Sequence, residues 1–270
     1  MALLGLDLSG ADAKIDRAQE HLDLLKTEVP RVIDERHPHT IRGEVVEDGW
    51  CVLWLHLNES REPRVSAIAG DYIHNLRSAL NYIVTALVDA TPGLALGTMH
   101  QFPASNDPTT YANTTWRPGE RVGRGVLSGI TPGLAMIERL QPYHTQPDPG
   151  ADPLYQLNRF SNADKHREIF GFMPTLEPGT VDIIVPETAT VIETTQPSQP
   201  NRVGDDYEIG RIRFAPPYPT QIRAEAKLAV TPLFSVEPFG NDPQGMALDL
   251  PTFAHIDEHV RLITDLFKTI

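Results

Sequence analysis

The chain has 270 residues, enough for one large domain or two small ones with a full core. An apolar share of 40% and a charged share of 22% are those of a globular protein, and a net charge of −13 argues against broad electrostatic capture of DNA, RNA or an anionic membrane. The single cysteine, Cys51, excludes an internal disulfide and a thiolate metal cluster, and its neighbours Trp50 and Val52 mark it as a small buried hydrophobe rather than a nucleophile.

The opening MALLGLDLSG has a short apolar run and no basic start, unlike a secretory signal. No stretch approaches the roughly 18 apolar residues of a membrane span, so a cytoplasmic protein is expected. Ser9 or Asp12 caps a helix running to about Arg36, with Ile15, Ala18, Leu22, Leu25, Val29 and Val32 stepping at three and four. Pro30 is expected to kink or divide it. Residues 40–47 and 50–58 read as two strands about a turn at Asp48-Gly49.

Residues 68–88 form the most informative helix. Ile73, Leu76, Ala79, Leu80, Ile83, Val84 and Leu87 share one side; Asp71, His74, Asn75, Arg77, Ser78, Asn81, Tyr82 and Thr85 share the other. The polar side holds no Lys and no Glu, unlike a solvated helix face. Such short or planar groups suit a partly buried polar cleft or a satisfied seam between elements.

Residues 92–150 carry one short helix, 134–140, and a long loop, 141–152. Asp152-Pro153 then opens a helix expected to reach about residue 170, placing Tyr155, Asn158, Arg159, Asn162, Lys165, His166 and Ile169 within an arc of about 120°. After Gly171 the pattern turns to period two, at 180–185, 189–193, 207–214, 222–230 and 234–236, without crossover helices, so antiparallel pairing is expected. Residues 256–267 close the chain as a helix. The fold expected is α+β: a mainly helical part over 1–170 that includes the hairpin 40–58, an antiparallel β part over 171–250, and a closing helix over 251–270, integrated as one domain.

The segment Gly70-Asp71-Tyr72-Ile73-His74-Asn75-Leu76-Arg77-Ser78-Ala79-Leu80-Asn81-Tyr82 resembles the hallmark helix of an uncharacterised bacterial family frequent in actinobacteria, whose usual pattern is G-D-x-x-H-N-L-R-S-A-L-D-H. Asn162-Ala163-Asp164-Lys165-His166-Arg167 resembles its N-x-D-K-H-R segment. That family carries no assigned activity, so the likeness implies a site and not a reaction. Asn81 and Tyr82 stand where Asp and His are usual. A weaker resemblance is to the HEPN helical ribonucleases, which pair an Arg with a His a few residues later; Arg159 and His166 have six residues between them.

Three readings follow. The first is a site between helices 68–88 and 153–170 that handles a phosphate-containing substrate, extending to metal-independent RNA cleavage. In it His74 and His166 move protons and Arg77 and Arg159 bind the anion. Asp71, Asn75, Asn81, Tyr82, Asn158, Asn162, Asp164, Lys165 and Arg167 hold the substrate. The second is a small-molecule or nucleotide pocket without chemistry, which the acidic balance favours over RNA. The third is a structural polar network. No cofactor is implied, and His74, His166, Asp71 and Asp164 lack the spacing of a metal site. Oligomeric state is left open.

Overall fold

The computed structural model describes residues 5–36, 39–57, 62–93, 101–113, 115–117, 120–121, 133–164, 171–174, 181–184, 189–195, 201–203, 206–218, 223–226, 230–236 and 246–270. The chain opens with α1 (Ser9–Arg36), the hairpin strands β1 (His39–Val45) and β2 (Trp50–Leu57), and α2 (Pro63–Asp89). Next come α3 (Pro108–Asn113), the short strands β3 (Thr115–Arg117) and β4 (Glu120–Arg121), α4 (Gly133–Arg139) and α5 (Pro153–Asp164). Then follow β5 (Gly171–Pro174), β6 (Val181–Ile184), β7 (Val191–Thr195), β8 (Asn201–Val203), β9 (Asp206–Phe214) and β10 (Arg223–Ala226). The last elements are β11 (Val230–Val236), β12 (Met246–Leu248) and α6 (Leu250–Phe267). The class is α+β, as the sequence predicts. No helix among the described residues is long and apolar enough to cross a membrane.

The chain divides into two compact units. The first comprises Met1–Glu28, Pro63–Phe170 and Phe234–Ile270; the second comprises Val29–Glu62 and Gly171–Leu233. In the first, α2 packs against α5 and α6, and α5 against α6. Their shared centre is aromatic: the Phe253 ring stacks on Tyr72 at 5.1 Å and on Phe234 at 4.6 Å, and meets Phe160 edge-on at 5.9 Å. The Tyr72 hydroxyl donates to the Phe253 carbonyl, so the one polar atom of this cluster is satisfied. The α1 stripe is buried as its periodicity predicts, from Ile15 through Leu25 to Val32, and the helix runs unbroken through exposed Pro30. Arg261 of α6 donates from Nε to Asp257 at 2.7 Å and from Nη1 to Asp16 of α1 at 3.4 Å. Asp249 caps α6 by accepting from the Thr252 N–H at 2.9 Å.

In the second unit, β1, β2 and β9 lie side by side, all antiparallel, and the far edge of β9 is shared by β7 at residues 211–214 and β8 at 206–208. The sequence places the hairpin with the helices, but its β2 pairs instead with β9, a strand more than a hundred residues away. Apolar alternation explains the partnership: Cys51, Leu53 and Leu55 of β2 are buried with Ile209, Ile212 and Phe214 of β9. Burial pushes the Cys51 thiol up to about 11, in keeping with an inert core residue. The inward set on β9 changes phase between Ile209 and Ile212 because the ladder jumps from Leu53↔Gly210 to Trp54↔Glu208, a bulge that inserts Ile209.

The turn joining β1 to β2 holds Asp48 at φ 58° and Gly49 at φ 76°, and a Cβ on Gly49 would lie 2.3 Å from the Tyr218 ring, so glycine is required there. Among the described residues, the region 180–236 does not form one sheet. β6 pairs with β10, and β11 pairs through residues 230–233 with β5 and through 234–236 with β12.

Candidate functional site

The polar face of α2 separates into three parts, as its angular positions require. On an ideal helix Arg77 and Asn81 lie about 40° apart at one edge, Asn75 lies at the other, and Asp71, His74, Ser78 and Tyr82 lie between. Asp71, His74 and Tyr82 are exposed, and Ser78 is half-buried. His74 Nε2 lies 3.5 Å from the Ser78 hydroxyl.

Asn75 is buried against α1. Its Nδ2 donates to the Asp71 carbonyl at 2.7 Å, and its Oδ1 accepts from Lys14 Nζ at 3.2 Å. At the opposite edge, Arg77 Nη2 donates to the Phe102 carbonyl at 2.6 Å while Asn81 Oδ1 accepts from the Phe102 N–H at 3.0 Å. Two side chains one turn apart thus hold both polar groups of one residue in an irregular segment. The Phe102 ring is fully buried and meets Phe267 of α6 edge-on at 6.4 Å. Buried Gln141 completes the arrangement, donating to the carbonyls of Pro103 and Ile137 at 3.0 Å each and accepting from the Ser105 N–H at 3.1 Å. Main-chain groups that no helix or sheet satisfies are satisfied here by side chains.

Arg77 stands apart within this seam. Its Nη1 is buried and has no hydrogen-bond partner, and no carboxylate pairs with the guanidinium among the described residues. The residue as a whole is half-buried. Burial draws the guanidinium down to about 10, which leaves it cationic at neutral pH. Buried charges are ordinarily paired, because an unpaired ion forfeits its hydration without return.

On α5, Leu154, Leu157, Phe160 and Ser161 are buried, Asn158 and Arg159 are half-buried, and Asn162 is exposed. The Arg159 guanidinium lies over the Tyr155 ring at 6.0 Å. Asp152 opens the helix by accepting from the Leu154 N–H at 2.9 Å and from the Thr145 hydroxyl at 2.6 Å. Asp164 is the last residue of α5; Lys165, His166 and Arg167 lie outside the described residues. The helices are neighbours, but Asp71, His74, Asn75, Arg77 and Asn81 make no hydrogen bond or ion pair to the described part of α5. The rest of the expected arc, Lys165, His166 and Ile169, lies outside the described residues. Where α2, α5 and α6 meet, aromatic rings fill the space.

Sequence reasoning missed Gln141, Lys14 and the segment around Phe102. Gln141 follows Leu140 and precedes Pro142 with no periodic pattern to mark it, so no local signal exists for its role. Among the described residues no three His, Cys, Asp or Glu side chains gather as metal ligands would. A scan of the chain against protein-family models finds no match, and neither a search of curated proteins nor one of solved structures does.

Proposed function

We propose that the face of α2 around Arg77 binds a small phosphate-bearing molecule. The observation that carries this reading is the Arg77 guanidinium, whose buried Nη1 has no hydrogen-bond partner and which no carboxylate among the described residues pairs with. A ligand phosphate supplies the charge and the acceptors that the protein withholds, and Arg suits bidentate contact with such an anion. His74 lies three residues earlier, about 4.5 Å along the helix axis, where an imidazole serves proton transfer if the bound group is a phosphodiester. Arg159 and His166 are the second guanidinium and imidazole of the same reading, and metal-independent RNA cleavage of the HEPN kind is its most specific form.

A second reading rests on the bonds of Arg77 and Asn81 to Phe102. In it the face is a seam that fixes residues 101–105 and has no ligand.

The test incubates the pure protein with AMP and with a structured RNA, in EDTA, beside Arg77→Gln, His74→Gln and His166→Gln. AMP binding lost only with Arg77→Gln supports a binding protein. Metal-free cleavage lost with Arg77→Gln and a histidine variant supports a ribonuclease. Should no substitution alter binding or turnover while Arg77→Gln lowers the melting temperature by several degrees, the seam reading stands and the proposal falls.

A further inference from the structure

A second feature of the first unit is independent of Arg77. The start of α1 and the last two turns of α2 enclose a cleft of about 430 Å³, within the size range of small-ligand pockets. Its floor is the Tyr82 ring, laid on Gly10, where an added Cβ would come within 2.8 Å of the ring. The absence of a side chain at Gly10 is therefore what lets the ring lie flat on α1. Tyr82 is 46% exposed.

Among the described residues, the charge lining the cleft has one sign. Asp7 and Asp89 line it, and no Lys, Arg or His among the described residues does. The two carboxylates differ in what they already do. Asp7 is spent on α1: its Oδ1 accepts from the Ser9 N–H at 3.0 Å, and the Ser9 hydroxyl and N–H hold its carboxyl below the usual range. Asp89 makes no hydrogen bond or ion pair among the described residues. It is the last residue of α2, and the final turn of that helix carries no basic residue. A carboxylate there meets the negative pole of the helix dipole, an unfavourable placement. An aromatic face beside an uncompensated carboxylate attracts the same kind of group, because the ring quadrupole and the charge both favour a cation.

We infer that the cleft lined by Tyr82, Asp89, Asp7 and Thr85 binds a small organic amine, its ammonium group seated between the Tyr82 ring and Asp89. The site lies five to twelve residues beyond Arg77 along α2, roughly 7–18 Å on the axis. It takes a ligand of the opposite charge, so its success or failure is separable from that of the phosphate reading.

The probe is benzyltrimethylammonium, titrated by calorimetry into the full chain at low salt, with its neutral carbon isostere as control. Saturable binding of the cation and none of the isostere is expected. Tyr82→Leu should weaken binding about 3- to 10-fold and Tyr82→Phe should not, since the ring and not the hydroxyl does the work. Asp89→Asn should weaken it about 2- to 5-fold and reduce its salt dependence. Gly10→Ala pushes the ring out of place while adding a better helix former, so affinity should fall with the melting temperature held. Equal binding of the isostere, no saturable binding, or unchanged affinity in both Tyr82→Leu and Gly10→Ala overturns the inference.

Discussion

The polar face of α2 and the outward face of β1, β2 and β9 both carry arginines, carboxylates and imidazoles, yet they satisfy them in opposite ways. On the sheet the side chains satisfy one another. Asp206 of β9 accepts from Arg42 of β1 at 2.5 Å and lies 2.7 Å from His56 Nδ1 of β2. Glu208 takes two bonds from Arg211, Trp54 donates to Glu44 at 3.0 Å, and Arg213 lies over the Trp50 ring at 5.7 Å. On α2 the side chains satisfy main chain: Asp71 and Phe102 by way of Asn75, Arg77 and Asn81.

Geometry accounts for the difference. Cross-strand neighbours stand about 5 Å apart on one face and meet each other readily. A central helix instead meets whatever irregular chain runs beside it, whose N–H and C=O groups need partners. A helix face of Asn, Arg and Ser without Lys or Glu is thus first a sign of adjoining irregular backbone. What it does not explain is Arg77 Nη1, a buried nitrogen with no hydrogen-bond partner, and no arginine on the described part of the sheet face leaves one like it.

Substitutions should separate the two faces by size of effect. Gln141→Leu removes three bonds at a fully buried position and strands the Pro103 and Ile137 carbonyls and the Ser105 N–H. A loss of about 3 kcal/mol in urea unfolding is expected. Asn81→Ala strands only the Phe102 N–H and should cost about 1–2 kcal/mol.

Asp206→Asn on the sheet should cost no more than about 1 kcal/mol, since its partner Arg42 is 64% exposed and exposed ion pairs contribute little. An Asp206→Asn loss equal to that of Gln141→Leu would erase the contrast.

The smallest effect is in pH. Burial holds the His259 imidazole of α6 below its ordinary value against the opposing pull of Asp152, with His255 adding slightly to the depression. A depressed histidine contributes stability that is present above the unfolded value near 6.5 and is lost as pH falls through the folded value. His259→Gln should therefore flatten the decline in melting temperature below pH 6.5. An unchanged profile would show that acid sensitivity arises elsewhere.

Strong periodicity made much of this legible. The α1 stripe, the apolar side of α2, Ile256, Val260, Ile263 and Phe267 of α6, and the Asp48-Gly49 turn all stand as read. What was hidden is non-local or short. Nothing in residues 50–57 names β9 as partner, and the inserted Ile209 breaks the period-two pattern that would have marked the pairing. β5, β8 and β12 have three or four residues each, too few to show any period. The polar residues of α2 were visible as a group, but their division depends on Phe102 and Lys14, which no spacing links to that helix.

The central claim is that Arg77 faces a ligand and not only Phe102. Its most direct test is the melting temperature of wild type and Arg77→Gln in rising inorganic pyrophosphate, with sodium chloride matched for ionic strength. A ligand that binds the folded state raises its stability with concentration, so wild type should climb progressively while Arg77→Gln stays level from a slightly lower start. Two parallel flat lines, separated by several degrees, would contradict the claim and leave Arg77 as part of the seam.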